Sequence, residues 1–181
     1  LYVLAITTGM RQGELLGLRW RDVDVDAGTL QIRGSMQATP DGLRIMEPKT
    51  AGSRRRVALS KQPIDALRRH RVAQAEERLR MGAAWENAEL VFATQAGRPI
   101  TASGLRRSFE PLLKRAGLPR MRFHDLRHTS ATLLLGRGVH PKIVSEMLGH
   151  TRISTTLDLY SHVSMTMQQQ AADAFDAILG H

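Results

Sequence analysis

Between Val23 and Leu59 the apolar residues of this chain alternate with polar ones, whereas almost everywhere else they return every third or fourth residue. Strand side chains alternate faces with a period of about 2 and helical ones repeat near about 3.6, so this change of period divides the fold. Alternating stretches at Leu30 to Arg33, Leu43 to Met46 and Arg56 to Leu59 are separated by Pro40-Asp41-Gly42 and by Pro48-Lys49-Thr50-Ala51-Gly52-Ser53. That pattern predicts a small antiparallel sheet with a basic hairpin. Helical spacing predicts two short helices over residues 1–19, broken at Thr8-Gly9, and a long helix from an N-cap at Ser60 to about Met81. The packed face of the long helix is read as Ile64, Leu67, Val72, Ala75 and Leu79. A short buried strand is expected at Leu90 to Ala93, then helices from Thr101 to Gly117 and over about 124–136, 141–148, 153–162 and 165–179. The fold class is therefore α+β, mostly α-helical, with one small sheet in the N-terminal third. At 181 residues, 42% of them hydrophobic, one core is the expectation.

Lys and Arg number 26 against 17 Asp and Glu, a formal charge of +9, and only four of the basic residues are lysines. Such a surplus attracts a polyanion in a salt-sensitive way, without distinguishing DNA, RNA and an anionic membrane. The chain has no cysteine, so disulfides and thiolate metal sites are excluded, which suits a cytoplasmic protein. It has no apolar run of about eighteen residues and no leader-like start, so no membrane partner is expected. Leu1, Val3, Leu4 and Ile6 read as the middle of a helix, without an initiator Met, and the chain is expected to be a fragment of a longer protein.

Four blocks carry candidate chemistry. In His124-Asp125-Leu126-Arg127-His128-Thr129 two histidines stand one helical turn apart with an arginine between them. A metal reading of that pair is open, but Arg127 would repel a cation and suits a phosphate. The plainer alternative has His124 capping a helix and His128 packed in the core. In Thr8-Gly9-Met10-Arg11-Gln12-Gly13-Glu14 an arginine enters a helix with a glutamate three residues on, a turn able to present a guanidinium to an anion. There Glu14 is read as a hydrogen-bonding support for Arg11. The hairpin around Lys49 is followed by Arg54, Arg55 and Arg56, read as a basic element attracted to phosphates. Finally Gly149-His150-Thr151 precedes Tyr160, one of two tyrosines, on a short polar-flanked helix. Taken alone, that tyrosine is as readily a core residue with a satisfied hydroxyl.

In combination and in this order, the blocks resemble the tyrosine recombinase, or phage integrase, family. Its catalytic domain carries Arg, Lys, His-x-x-Arg, His or Trp, and Tyr in that sequence. The resemblance runs from about Thr7 to His162, and no position departs from the family pattern. It implies Arg11 as the first arginine, Lys49 as the hairpin lysine, His124 and Arg127 as the central pair, His150 as the second histidine and Tyr160 as the nucleophile. Arg54, Arg55 and Arg56 are expected to bind DNA. The resemblance also implies that residues 1–181 form the catalytic domain, without the family's N-terminal DNA-grasping domain. A C-terminal helix over 164–181 would then dock on its own core or on a neighbouring subunit.

The activity implied is site-specific cleavage and rejoining of double-stranded DNA through a 3′-phosphotyrosine, with no metal, cofactor or ATP, as in the integration of mobile elements. A homotetramer on two DNA sites is the implied assembly, with a monomer compatible with the fragment. Two other readings use the same residues: a type IB topoisomerase, which shares the chemistry without needing two sites, and a non-catalytic DNA-binding protein. A metal-dependent nuclease built on the histidine pair is a third.

Overall fold

The computed structural model describes residues 1–47, 54–86, 89–150 and 152–160, together with Gln169, Asp173 and Asp176. The side chains of Leu159 and Tyr160 lie outside that description.

The N-terminal residues form α1 (Tyr2–Thr8) and α2 (Gln12–Leu16), separated by a left-handed turn at Gly9. Five strands follow: β1 (Val23–Asp24), β2 (Thr29–Ile32), β3 (Ser35–Thr39), β4 (Gly42–Met46) and β5 (Arg55–Ala58). They form two antiparallel sheets where one was expected: a three-stranded sheet in the order β1-β2-β5, and the β3-β4 hairpin. In the first, Leu30 lies opposite Val57 and Ile32 opposite Arg55. Strand β3 escaped the sequence reading because only Met36 along it is buried. The expected strand at Leu90 to Ala93 is instead a buried connection with isolated bridges, Arg19 to Leu90 and Ala93 to Pro99. Its backbone is satisfied locally, with the Val91 N–H donating to the Leu18 carbonyl at 2.8 Å.

The long helix α3 (Lys61–Met81) follows the predicted bounds but not the predicted face. Leu67 is buried and Ile64 partly so, while Val72 and Leu79 are exposed. The packed side continues through polar residues: His70 Nε2 meets the Val91 carbonyl oxygen at 2.6 Å, and Gln74 joins the Trp20 indole N–H to the Leu90 and Val91 carbonyls. Helix α4 (Ala102–Arg115) starts as expected, with Thr101 Oγ1 accepting from the Gly104 N–H at 2.9 Å. Beyond it lie α5 (Asp125–Gly136), α6 (Pro141–Leu148) and α7 (Ser154–Tyr160). Of the C-terminal helix expected over 164–181, the described residues Gln169, Asp173 and Asp176 are helical. The rest of it lies outside the described residues.

Burial is divided among three clusters. The largest joins α1, α2, the three-stranded sheet and α3 through Leu4, Leu15, Leu30, Val57 and Leu67. A second packs Leu16 and Met36 against Leu90 and Leu105. A third, Ala131, Leu135, Val144 and Leu148, belongs among the described residues to α5 and α6. The helical pair is thus a subunit of packing with its own apolar centre, tied to the rest largely where α1 meets α5. Aromatic rings brace the other end of that junction: Tyr2 stacks on Phe109 with centroids 5.4 Å apart, and Phe109 meets Phe123, the residue before His124, edge-on at 5.5 Å.

Candidate active site

Arg11 occupies the N-cap of α2 in extended conformation, φ −66° and ψ 151°. Glu14, three residues on, accepts its backbone N–H at 2.9 Å and its Nη1 at 2.9 Å. The remaining terminal nitrogen, Nη2, donates to the carbonyl of Gly149 at 2.9 Å, which joins the α1–α2 turn to the end of α6. The hydrogen bonding expected between Arg11 and Glu14 is present, with Arg11 donating. The Glu14 carboxylate is also held by Arg55, whose Nη1 and Nη2 donate at 3.0 and 2.9 Å. Burial acts to raise the Glu14 pKa, but the hydrogen bonds and charges of Arg55 and Arg11 outweigh it and hold the group below the ordinary carboxylate value.

Arg127 projects from α5 and is 5% exposed. Its Nη1 donates to the Gly9 carbonyl at 2.6 Å, while its buried Nη2 has no hydrogen-bond partner among the described residues. The close approach depends on Gly9, since a Cβ there would run into Leu148 and come within 3.3 Å of Ser130 Oγ. Burial first, then the nearby Arg11 charge, pushes the Arg127 pKa down to about 9, which leaves it cationic at neutral pH. On the loop after α6, Gly149 adopts φ 69°, a left-handed conformation that favours glycine. The next residue, His150, places Nδ1 2.8 Å from Oγ1 of the buried Thr156 on α7. Burial, then the charges of Arg127, Arg11 and Arg55, push the His150 pKa down to about 4, so its imidazole is neutral at pH 7.

These groups line one open cleft of about 540 Å³, walled by Arg11, His124, Arg127, His128, His150 and residues of α7. The structure therefore brings together four of the six expected reaction residues. Lys49 lies outside the described residues, as does the side chain of Tyr160, although the α7 backbone runs to that position.

Two readings of neighbouring residues need correction. His128 is not a core residue: it is exposed and meets His124 edge-on, with ring centroids 5.0 Å apart. His124 sits at the N-cap of α5 without a capping hydrogen bond from its side chain. Burial, then the charges of His128 and Arg127, lower its pKa. Among the described residues no three His, Cys, Asp or Glu side chains form a group able to hold a metal ion.

The three arginines expected to bind DNA diverge. Arg54 is exposed and paired with Glu47 at 2.6 Å, and Arg56 is exposed with Nη2 on Thr29 Oγ1 at 3.1 Å. Arg55 is buried, with its side chain 7% exposed, and its Nε donates to the Met147 carbonyl at 2.7 Å. Nε, Nη1 and Nη2 each donate a hydrogen bond inside the protein, so the Arg55 side chain is turned inward, away from the surface that Arg54 and Arg56 present. The signal was present in the alternation, which sets Arg55 on the face of β5 that also buries Val57. Thr156 was missed altogether, because nothing in a run of Ser-Thr-Thr distinguishes the hydroxyl that turns inward.

Comparison with known proteins bears on this arrangement. The family described as "Phage integrase family" matches residues 1–167. A tyrosine recombinase XerC-like protein of Caldanaerobacter subterraneus subsp. tengcongensis (strain DSM 15242 / JCM 11007 / NBRC 100824 / MB4) is 39% identical over 97% of this chain and 48% of its own length. The ICEBs1 integrase of Bacillus subtilis (strain 168) is 30% identical over 98% of this chain and 48% of its own length. The chain thus spans about half the length of the curated relatives it matches. Among solved structures, the Tn1549 transposon integrase in complex with transposon right end DNA superposes with a TM-score of 0.81 at 26% identity, covering 96% of this chain and 57% of that one. The mostly helical fold with small antiparallel sheets agrees with that likeness. With a family match over residues 1–167 and, over 97% of its length, 39% identity to a tyrosine recombinase relative, this chain belongs to the phage integrase family of tyrosine recombinases.

Proposed function

We propose that residues 1–181 are the catalytic domain of a site-specific DNA recombinase that cuts and rejoins strands through a 3′-phosphotyrosine at Tyr160, without metal or ATP. The observation that carries the reading is the buried Nη2 of Arg127, a cationic donor with no partner among the described residues, on a side chain that lines the cleft shared with Arg11 and His150. A buried unsatisfied donor costs about 1–3 kcal/mol, and a phosphate oxygen in the cleft relieves it.

In this reading Arg11, Arg127 and His150 donate to the non-bridging oxygens of the scissile phosphate, where charge accumulates as the phosphorus becomes pentacoordinate. Acceptance by His150 Nδ1 of the Thr156 hydroxyl proton leaves Nε2–H to donate. The phenol of Tyr160 attacks phosphorus, the P–O5′ bond breaks, and the phenolic proton passes to a base. His124 suits that part because its lowered pKa keeps it neutral at pH 7. Lys49 delivers a proton to the departing 5′ oxygen. One phosphodiester replaces another, so a 5′-hydroxyl from either duplex reverses the step.

The partners follow: double-stranded DNA, a homotetramer joining two sites, exposed Arg54 and Arg56 adding phosphate attraction, and residues 164–181 docking either on their own core or on a neighbouring subunit. The proposed site of action is the cytoplasm, where the DNA lies. The test is incubation of full-length protein with a nicked suicide duplex in EDTA. A protein–DNA adduct is expected with wild type and none with Tyr160→Phe; an adduct unchanged in Tyr160→Phe, or one requiring a divalent metal, sinks the reading.

A further inference from the structure

The phosphate chemistry gives Arg55 no part, yet no other basic side chain is so thoroughly engaged among the described residues of the site. It opens β5 two residues after Ser53, at the end of the segment that carries Lys49. Its Nε holds the Met147 carbonyl at 2.7 Å, and Nη1 and Nη2 hold the Glu14 carboxylate at 3.0 and 2.9 Å. Glu14 in turn accepts from Arg11 Nη1, and Arg11 Nη2 donates to the Gly149 carbonyl, each at 2.9 Å. Met147 and Gly149 are two residues apart on one backbone, so the chain of contacts closes into a ring.

That ring contains no slack. Two faces of one carboxylate are fixed by two guanidiniums, and a bidentate arginine sets a plane where a lysine sets only a point charge. Gly149 leaves no space beside it: a Cβ there would lie 2.6 Å from Arg55 Nη1. Stability alone is a poor reason for such an arrangement, because buried ion pairs commonly add little over apolar residues of the same volume. Orientation is the better one, since the ring ends at Arg11 on one side and one residue before His150 on the other.

We propose that Arg55 is a positioning residue for DNA cleavage, which through Glu14 sets the angle of the Arg11 guanidinium and through the Met147 carbonyl sets the loop presenting His150. The role rests on the phosphotyrosine reading above, and Arg55 itself touches no DNA. By its place at the start of β5 it also ties the strand following Lys49 to the two phosphate donors.

The experiment uses full-length protein carrying Arg55→Lys or Arg55→Ala, each alone and combined with Arg11→Ala, on the nicked duplex at saturating protein. DNA affinity and thermal unfolding are measured alongside, and the lysine variant carries the test if the alanine variant fails to fold. Arg55→Lys is expected to bind DNA within about 3-fold of wild type while forming adduct about 100-fold more slowly, the loss that a displacement of about 1 Å brings. In the Arg11→Ala background the same change is expected to slow the reaction by at most about 10-fold, because part of what it disturbs has already gone. Wild-type rates in Arg55→Lys, a loss lying wholly in DNA affinity, or an equal loss in both backgrounds overturns the role. A wild-type protein that forms no adduct overturns the phosphotyrosine reading and this role with it, whereas wild-type adduct with equal rates in Arg55→Lys removes Arg55 alone.

Discussion

Arg11 and Arg127 face one cleft from different elements, and the protein treats them in opposite ways. Arg11 has a side chain 40% exposed, yet both terminal nitrogens are engaged, by Glu14 and by the Gly149 carbonyl. Arg127 is 5% exposed, yet one of its nitrogens is buried without a partner among the described residues. An exposed guanidinium needs tethering to hold an angle, which the carboxylate supplies. A buried one is already held by packing and by the Gly9 carbonyl, which fixes the direction of its other donor without a counter-charge. The first arm is therefore positioned by charge pairing and the second by burial, which predicts that they fail differently when broken.

The largest effect is expected at Arg127. Replacement by Met keeps the volume and removes both the buried charge and its orphan donor, so cleavage on the nicked duplex falls by about 1,000-fold. Thermal stability stays the same or rises, because a well-packed apolar residue in place of a buried ion is often stabilising. A fall in stability that matches the fall in rate would mean that Arg127 serves the fold before it serves the phosphate. Glu14→Gln breaks the other arm and inverts the pattern. It leaves Arg55 buried without a counter-charge and costs about 3 kcal/mol of unfolding free energy in a urea titration. Stability unchanged by Glu14→Gln would show that the paired arm is not held by charge.

How much of this was legible in sequence follows the same division. Arg11, Glu14, Arg127 and His150 sit in blocks with a recognisable order, and the local offset from Arg11 to Glu14 already implied their contact. Arg55 was legible only halfway. Its charge placed it with Arg54 and Arg56, whereas the two-residue period of β5 placed it with Val57, and in the fold the period wins because Glu14 compensates the burial. The face of α3 was misread for a related reason. His70 and Gln74 satisfy carbonyls of the 90–91 connection, so polar residues occupy the packed side and Val72 and Leu79 are left exposed. Partners far apart in sequence decide both cases, and periodicity carries no information about them.

Acid should separate the arms a third way. His150 is pushed from its ordinary 6.5 down to about 4, so the stability tied to its neutral form is complete above pH 6.5 and is lost as pH falls toward about 4. Glu14 has its pKa lowered from 4.5, so the contribution of the paired arm persists above pH 4.5 and disappears only as pH drops through the folded value below it. Melting temperature is expected to decline on acidification from pH 6.5, with His150→Gln removing part of the decline above pH 4.5, His124 supplying another part, and Glu14→Gln removing part of the decline below it. A melting curve flat from pH 7 to pH 4.5 in wild type contradicts the placement of His150 among those charges.

The smallest effect tests whether His150 is aimed or merely present. Thr156→Val is nearly isosteric at a fully buried position and deletes only the hydroxyl 2.8 Å from His150 Nδ1. The ring keeps its place in the cleft wall but loses the contact that fixes its tautomer and rotation. One hydrogen bond of this kind is worth about 1 kcal/mol, which corresponds to a cleavage rate about 5-fold lower. Unfolding free energy should move by no more than about 1 kcal/mol, because the extra methyl is buried where the hydroxyl was. A 5-fold loss that vanishes in a His150→Ala background assigns it to the imidazole, as expected if α7 orients a phosphate donor. A loss of the same size without the imidazole would instead trace to α7 shifting as a body, and His150 would then need no partner to hold its angle.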